Sequence, residues 1–185
     1  MNEAELIRRS QEGDGEAFHA LLERHRQVLF GTAYLLTRDS HRAEDLVQEA
    51  LIRIWRGLPT LRSGGSFKAW VMRVLVNEAM SMHRKKRVEQ TQMDDALLMP
   101  EDGAEVENEV LREEERQALQ RGLERLGEDH RQVVVLHYYA ELSIPEIART
   151  LGCREGTVKS RLHRALRHLG GVLKADGWQQ GLERA

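Results

Sequence analysis

Residues Ile144–Leu169 read IPEIARTLGCREGTVKSRLHRALRHL, and this stretch decides the fold. Ile144, Ile147, Ala148 and Leu151 recur at the spacing of one face of a short helix, and Val158, Leu162, Ala165, Leu166 and Leu169 do the same for a longer one. Gly152 between them permits a tight turn, because without a Cβ it takes a positive φ at little cost. Just upstream, Ser143-Ile-Pro-Glu146 has the form of a capping box with proline in the first turn, where its missing N–H matters least. With small Ala148 allowing close approach, the pattern predicts a helix-turn-helix. The far face of the second helix carries Lys159, Ser160, Arg161, His163, Arg164 and Arg167, groups that reach base edges and phosphates when a helix lies in the major groove. The blander reading is a helical hairpin with a solvated basic face. It requires both the turn chemistry and the clustering of five bases against one acid between Arg154 and His168 to be accidents.

The rest of the chain divides around this motif by charge. With 185 residues there is room for one medium domain or two small ones, and the 5% aromatic and 31% charged content argues against a single large β-sandwich or barrel core. Residues 1–90 hold 15 bases and 12 acids, residues 91–109 hold seven acids and no base, and residues 110–185 hold 13 bases and 11 acids. The overall net charge of −2 therefore conceals an acidic centre between two mildly basic ends. The centre, TQMDDALLMPEDGAEVENE, contains Pro100 and Gly103, lacks aromatics and shows no sustained period, so it reads as a flexible linker. Such a length spans at most about 65 Å extended and nearer 25 Å as a coil, enough for two domains to sit well apart on one target.

Cys153 is the only cysteine, which excludes an intramolecular disulfide and any zinc site built from several thiolates. The N-terminus lacks the apolar run of a signal peptide, and nowhere do eighteen apolar residues follow one another. A cytoplasmic protein without membrane insertion is expected.

Before the linker the periodicity predicts four helices: about Asn2 to Gln11; one starting after GDG and running through Phe18, Leu21, Leu22, Val28, Leu29, Ala33 and Leu36; one after Asp39 and Ser40 repeating Ala43, Leu46, Val47, Ala50, Ile54 and Leu58; and one from Phe67 carrying Trp70, Val71, Val74, Leu75, Ala79 and Met82. After it, helices are expected at about Asn108 to Leu126, Glu128 to Tyr139, from Ser143, and from Arg154 to Leu173. The fold class is all-α: two small helical domains, residues 1–90 and 110–173, with a tail at 174–185. The third helix exposes Glu44, Asp45, Gln48 and Glu49 beside Arg53 and Arg56, whereas Trp55 and Trp70 read as core. The fourth ends in HRKKR, His83 to Arg87, which includes Arg84; cations there also complement the helix dipole.

AEDLVQEALIRIW in the first domain and GTVKSRLHRALRHL in the second resemble the bacterial sigma-70 RNA polymerase sigma factors, specifically the extracytoplasmic-function (ECF) group, over about Glu5 to Leu173. The resemblance implies a region two and a region four joined without an intervening domain, no catalysis and no cofactor or metal. It implies that Asp45, Gln48 and Glu49 dock on the clamp-helix coiled coil of core RNA polymerase. It further implies that the loop TLRSGGSF and the following helix read the minus-ten element of promoter DNA as a single strand through Arg62, Ser63, Phe67, Arg73, Asn77 and Arg84. Lys159, Ser160, His163 and Arg164, with Arg161 and Arg167 on the same basic helix, would read the minus-thirty-five element as duplex. An anti-sigma factor is the expected regulator. Arg154 departs from the family, standing where many members have proline or a capping residue, and the tail with Trp178 matches nothing placed.

Two other classes compete. A dimeric helix-turn-helix regulator with an N-terminal sensing domain explains the motif but not the acidic helix or the loop before Trp70. A small helical enzyme has no support, since none of the eight histidines pairs with another His or a Cys at metal-ligand spacing and no Gly-rich phosphate loop or nucleophile motif is present.

Overall fold

The structure, a computed structural model, describes residues 2–61, 66–89 and 120–175, with side chains at 2–61, 66–82 and 120–171. Among these residues every regular element is helical. Helix α1 spans Glu3–Gln11 and α2 Gly15–Glu23. Asn2 caps the first by accepting the Glu5 N–H at 2.8 Å. Asp14 caps the second, accepting from Glu16 and Ala17 at 3.0 Å each while Arg9 donates to it at 2.8 Å. Those bonds, the one from Ala17 foremost, hold the Asp14 carboxyl below the usual aspartate range.

The periodicity that predicted one helix from GDG to Leu36 is interrupted: α3 is a separate helix, Arg26–Thr37. His25 makes the break. Its backbone (φ −111, ψ 0) departs from ideal α-helical values and its N–H closes a turn on Leu22. Its ring reaches Glu3 at 3.2 Å and lies 5.3 Å from the Phe67 ring. Both faces stay apolar across the break, so periodicity alone does not register it; the redirection lets α2 pack on α1 while α3 packs on the next two helices.

Helix α4, Ser40–Gly57, starts where expected, with Asp39 accepting the Arg42 N–H at 3.0 Å, and buries Ala43, Leu46, Ala50 and Ile54. A short 3-10 turn, Leu58–Thr60, follows, and α5 runs Phe67–Glu89. In the C-terminal half, residues 120–124 are helical; the earlier part of the helix expected from Asn108, the acidic segment 91–109 and the tail with Trp178 lie outside the described residues. Helix α6, Glu128–Val134, widens into a π turn at Val135–Tyr139, and α7, Ile144–Leu151, and α8, Glu155–Ala175, form the helix-turn-helix. Gly152 between them takes the left-handed conformation, φ 63 and ψ 33.

Ser143 and Glu146 form the expected capping box at the start of α7. Glu146 reaches back to the Ser143 N–H at 2.9 Å, but the Ser143 hydroxyl donates to that same carboxylate at 2.6 Å. These two bonds, the hydroxyl first, hold the Glu146 carboxyl below the usual glutamate range. A depressed folded-state pKa means that the cap stabilises fully above the ordinary glutamate value of about 4.3 and is lost as pH falls through the lower folded value. Glu146→Ala is expected to cost about 1 kcal/mol in urea melts at pH 7 and progressively less below pH ~4. An undiminished difference at pH 3 would show that the effect is not carried by the carboxylate.

One buried cluster runs from Leu6 of α1 through Leu46, Ile54, Phe67 and Leu75 to Leu136, Ile147 and Val158. A smaller cluster of Leu123, Leu126, Val134, Ala165 and Leu169 adjoins it, with Leu35 of α3 and Leu162 of α8 packing on both. The two halves, expected from linker length to be able to stand apart, are here in contact, α5 against α7 and α3 against α6 and the π turn. Leu166, assigned by periodicity to the packed face of α8, is 37% exposed, because it lies at the edge of the stripe drawn by Val158, Ala165 and Leu169. Trp55, read from sequence as core, is 38% exposed at the rim, its ring 4.7 Å from Phe18. Trp70 is half-buried.

Candidate functional site

The outer face of α4 gathers Glu44, Asp45, Gln48 and Glu49, all exposed. Asp45, Glu49 and Ile52 are separated by four and three residues and so share one strip of the helix. Among the described residues none of the four polar groups is ion-paired. Arg53, beside them, is engaged: its Nε lies 2.5 Å from Glu78 of α5, whose side chain is buried. The strip is therefore acidic at its N-terminal end, with Arg53 turned toward α5. Ile52, 46% exposed, continues it as an apolar contact that sequence reading passed over. The available signal was that Ile52 falls outside the Ala43, Leu46, Ala50, Ile54 stripe.

On α8, Lys159, Ser160, His163, Arg164 and Arg167 are all exposed, and the structure brings these five together on one face. Ser160 donates to the Thr157 carbonyl at 3.0 Å, leaving its oxygen lone pairs to accept from a ligand. Arg161 stands apart from the group. It is half-buried and paired with Asp129 of α6 at 2.6 Å, so it ties the basic helix to its support. The Arg154 carbonyl accepts from Thr157 and Val158 at 2.9 and 3.2 Å, opening α8 at this position despite the residue's departure from the family pattern.

The set expected on α5 is spread more widely. Arg73 and Asn77, one turn apart, are exposed and line a cleft of about 330 Å³ with Met80; its opposite wall is Arg149, Thr150, Leu151 and Gly152 of the helix-turn-helix. Phe67 is 2% exposed, packed among core side chains and against the rings of His25 and Trp70, and is not on the surface that Arg73 and Asn77 present. Arg62 and Ser63 lie outside the described residues, and Arg84 is described in its helical backbone alone.

The model of sigma-70 region 2 matches residues 21–89, and that of sigma-70 region 4 matches residues 116–169. The chain is 34% identical over 173 residues to the ECF RNA polymerase sigma factor SigM of Mycobacterium tuberculosis, covering 93% of this chain and 85% of that one. It is likewise 34% identical over 171 residues to the ECF RNA polymerase sigma-E factor of Escherichia coli, covering 86% and 88%. Among solved structures, the sigma factor RpoE in complex with the anti-sigma factor NepR from Bartonella quintana aligns with a TM-score of 0.69 at 27% identity, over 85% of this chain and 98% of that one. CnrH in complex with the cytosolic domain of CnrY aligns with a TM-score of 0.69 at 24% identity, over 92% and 96%, and shares the fold. These matches do not favour the alternative of a dimeric regulator with a sensing domain, since they cover the acidic α4 and the loop region as well as the helix-turn-helix. No helix among the described residues is long and apolar enough to cross a membrane. Matched in both regions and along nearly its whole length, the chain belongs to the sigma-70 family of RNA polymerase sigma factors, in its ECF group.

Proposed function

We propose that this sigma factor docks on core RNA polymerase through the outer strip of α4, with Asp45, Gln48 and Glu49 meeting a basic, helical surface and Ile52 supplying the apolar contact. The unpaired acidic strip on a well-anchored helix is the observation that carries this reading. The unit at 1–90 then reads the minus-ten element as single-stranded DNA. Arg73 and Asn77, with Arg62, Ser63 and Arg84, offer charge and hydrogen bonds to an unstacked strand, while buried Phe67 anchors the start of α5. The unit at 110–173 reads the minus-thirty-five element with the exposed face of α8, and the acidic segment 91–109 joins the two. An anti-sigma factor holds the chain in reserve, as the relative from Bartonella quintana is held by NepR. Transcription reconstituted from core polymerase and this chain, with transcript starts sequenced, tests the reading: a shared motif upstream of the starts is expected, and starts identical to those of core polymerase alone would overturn it.

Lys159 and Arg164 sit five residues apart on the exposed face of α8, both able to reach one groove. Alanine at either position is expected to cost about 1–3 kcal/mol in holoenzyme binding and to relax preference at one upstream base pair. Equal loss on every sequence, together with a shallower salt dependence, would assign that residue to phosphate instead.

A further inference from the structure

We propose that Gln11, the last residue of α1, is a positioning residue for minus-ten reading, because its amide holds Leu61, the residue from which segment 62–65 of the TLRSGGSF loop departs; the inference rests on the sigma-factor reading above. The Gln11 side-chain nitrogen donates to the Leu58 carbonyl at 3.1 Å and to the Leu61 carbonyl at 2.9 Å, 47 and 50 residues further along the chain. The two carbonyls bracket the 3-10 turn, whose closing bond runs from the Leu61 N–H to Leu58 at 3.0 Å. At Leu61 the backbone becomes extended (φ −67, ψ 115), so its carbonyl lies past the end of the helical ladder, and a side-chain donor takes the place of a backbone one. One amide therefore fixes both the turn and the direction in which the chain leaves it.

Gln11 acts from a firm base. Leu6 seats α1 in the buried cluster, Ser10 donates to the Leu6 carbonyl at 2.6 Å, and Arg9 reaches the Asp14 cap of α2 at 2.8 Å. Leu58 is itself buried, which leaves the Leu61 end of the turn as the part that Gln11 restrains. The far end of the loop is pinned separately. The Ser66 hydroxyl accepts the Ala69 N–H at 3.2 Å, Phe67 is enclosed, and Trp70 of α5 packs so closely on Gly57 of α4 that a Cβ there would come 3.2 Å from its ring. Loop entry is thus tied to α1 and loop exit to α5. Residue 11 lies outside the 21–89 span that matches sigma-70 region 2, so α1 brings to the reader a contact that the matched region does not contain. Without the two donors the carbonyls turn to water, and Leu61 gains freedom at the point where a small displacement is carried into the residues that meet the unstacked strand.

Gln11→Met keeps the stem of the side chain and removes both donors. Holoenzyme assembled with the full-length variant is assayed for transcripts from an intact promoter, from one substituted in the minus-ten element and from one substituted in the minus-thirty-five element. The ratio of intact to minus-ten-substituted yield is expected to fall about three- to tenfold, the scale of one net hydrogen bond, while the minus-thirty-five ratio stays as in the wild type. A smaller folded fraction lowers all yields together and moves neither ratio, so a merely structural role is told apart from positioning. Gln11→Lys, which again ends in a donor, is expected to recover part of the minus-ten preference. Equal loss in both ratios, loss in neither, or failure of the Met variant to co-elute with core polymerase would overturn the proposal. A wild-type holoenzyme without minus-ten preference would overturn the minus-ten reading and the inference with it. Hydrogen exchange on the free chain gives a measurement independent of transcription: the Leu61 amide is expected to exchange faster in Gln11→Met while the amides of α4 keep their protection. Unchanged exchange at Leu61 would equally overturn the assignment.

Discussion

Reversing Asp45 and Glu49 to Lys together is expected to abolish co-elution of the chain with core RNA polymerase while leaving its helical circular dichroism and its urea midpoint nearly unchanged. Both side chains are exposed on α4, and among the described residues neither has an ion-pair partner whose loss would be felt in the fold. The buried face of the helix, Ala43, Leu46, Ala50 and Ile54, is untouched, and so is the Asp39 cap at its start. Surface substitutions of this kind change stability by about 0.5 kcal/mol or less. At an interface the arithmetic differs, since each reversal removes an attraction and places like charges together at a cost of several kcal/mol. Two reversals thus amount to at least two to three decades in affinity, at about 1.4 kcal/mol per decade, enough to lose a complex on a sizing column. Ile52→Ala on the same strip separates the apolar contribution from the charge. Unchanged co-elution of the double reversal would remove this strip from the interface.

The free chain is expected to discriminate promoter duplex from scrambled duplex poorly, whereas holoenzyme assembled with the same chain discriminates by about 10³-fold or more at physiological salt. A single small DNA-reading module buries roughly 600–1,000 Å² and owes much of its affinity to phosphate contacts that salt weakens. The basic face of α8 offers few exposed side chains for that task, Lys159, Ser160, His163, Arg164 and Arg167 with His168 beside them, and Arg161 is committed to Asp129. The second reader needs unpaired DNA, which a duplex in solution does not supply. The seven acids of residues 91–109 repel DNA rather than hold the units in register. Fluorescence anisotropy with a duplex carrying both elements, comparing free chain and holoenzyme, makes the measurement. Equal discrimination by the free chain would return support to an autonomous regulator.

The sequence by itself determined the helix-turn-helix, because each of its signals is local. Gly152 is the residue that takes the left-handed turn, Ser143 and Glu146 meet at the start of α7, and Ile147, Ala148, Val158 and Ala165 are buried at the spacing they were written in. The acidic strip of α4 was legible for the same reason: a polar face is the complement of an apolar stripe on one helix. Quantities that depend on what a neighbouring element does were not legible. The break at His25 coincides with contacts to Glu3 and Phe67, residues distant in sequence, and leaves the apolar pattern intact on both sides. Arg161 was one cation among several until Asp129 on another helix claimed it, and Phe67 read as a ligand of DNA until its neighbours enclosed it. The contact of the two halves belongs wholly to the tertiary structure. Periodicity tells each helix which face to bury but not against which partner, and only folding put Tyr139 on Gly31 and Lys68 beside Glu141 across more than seventy residues of chain.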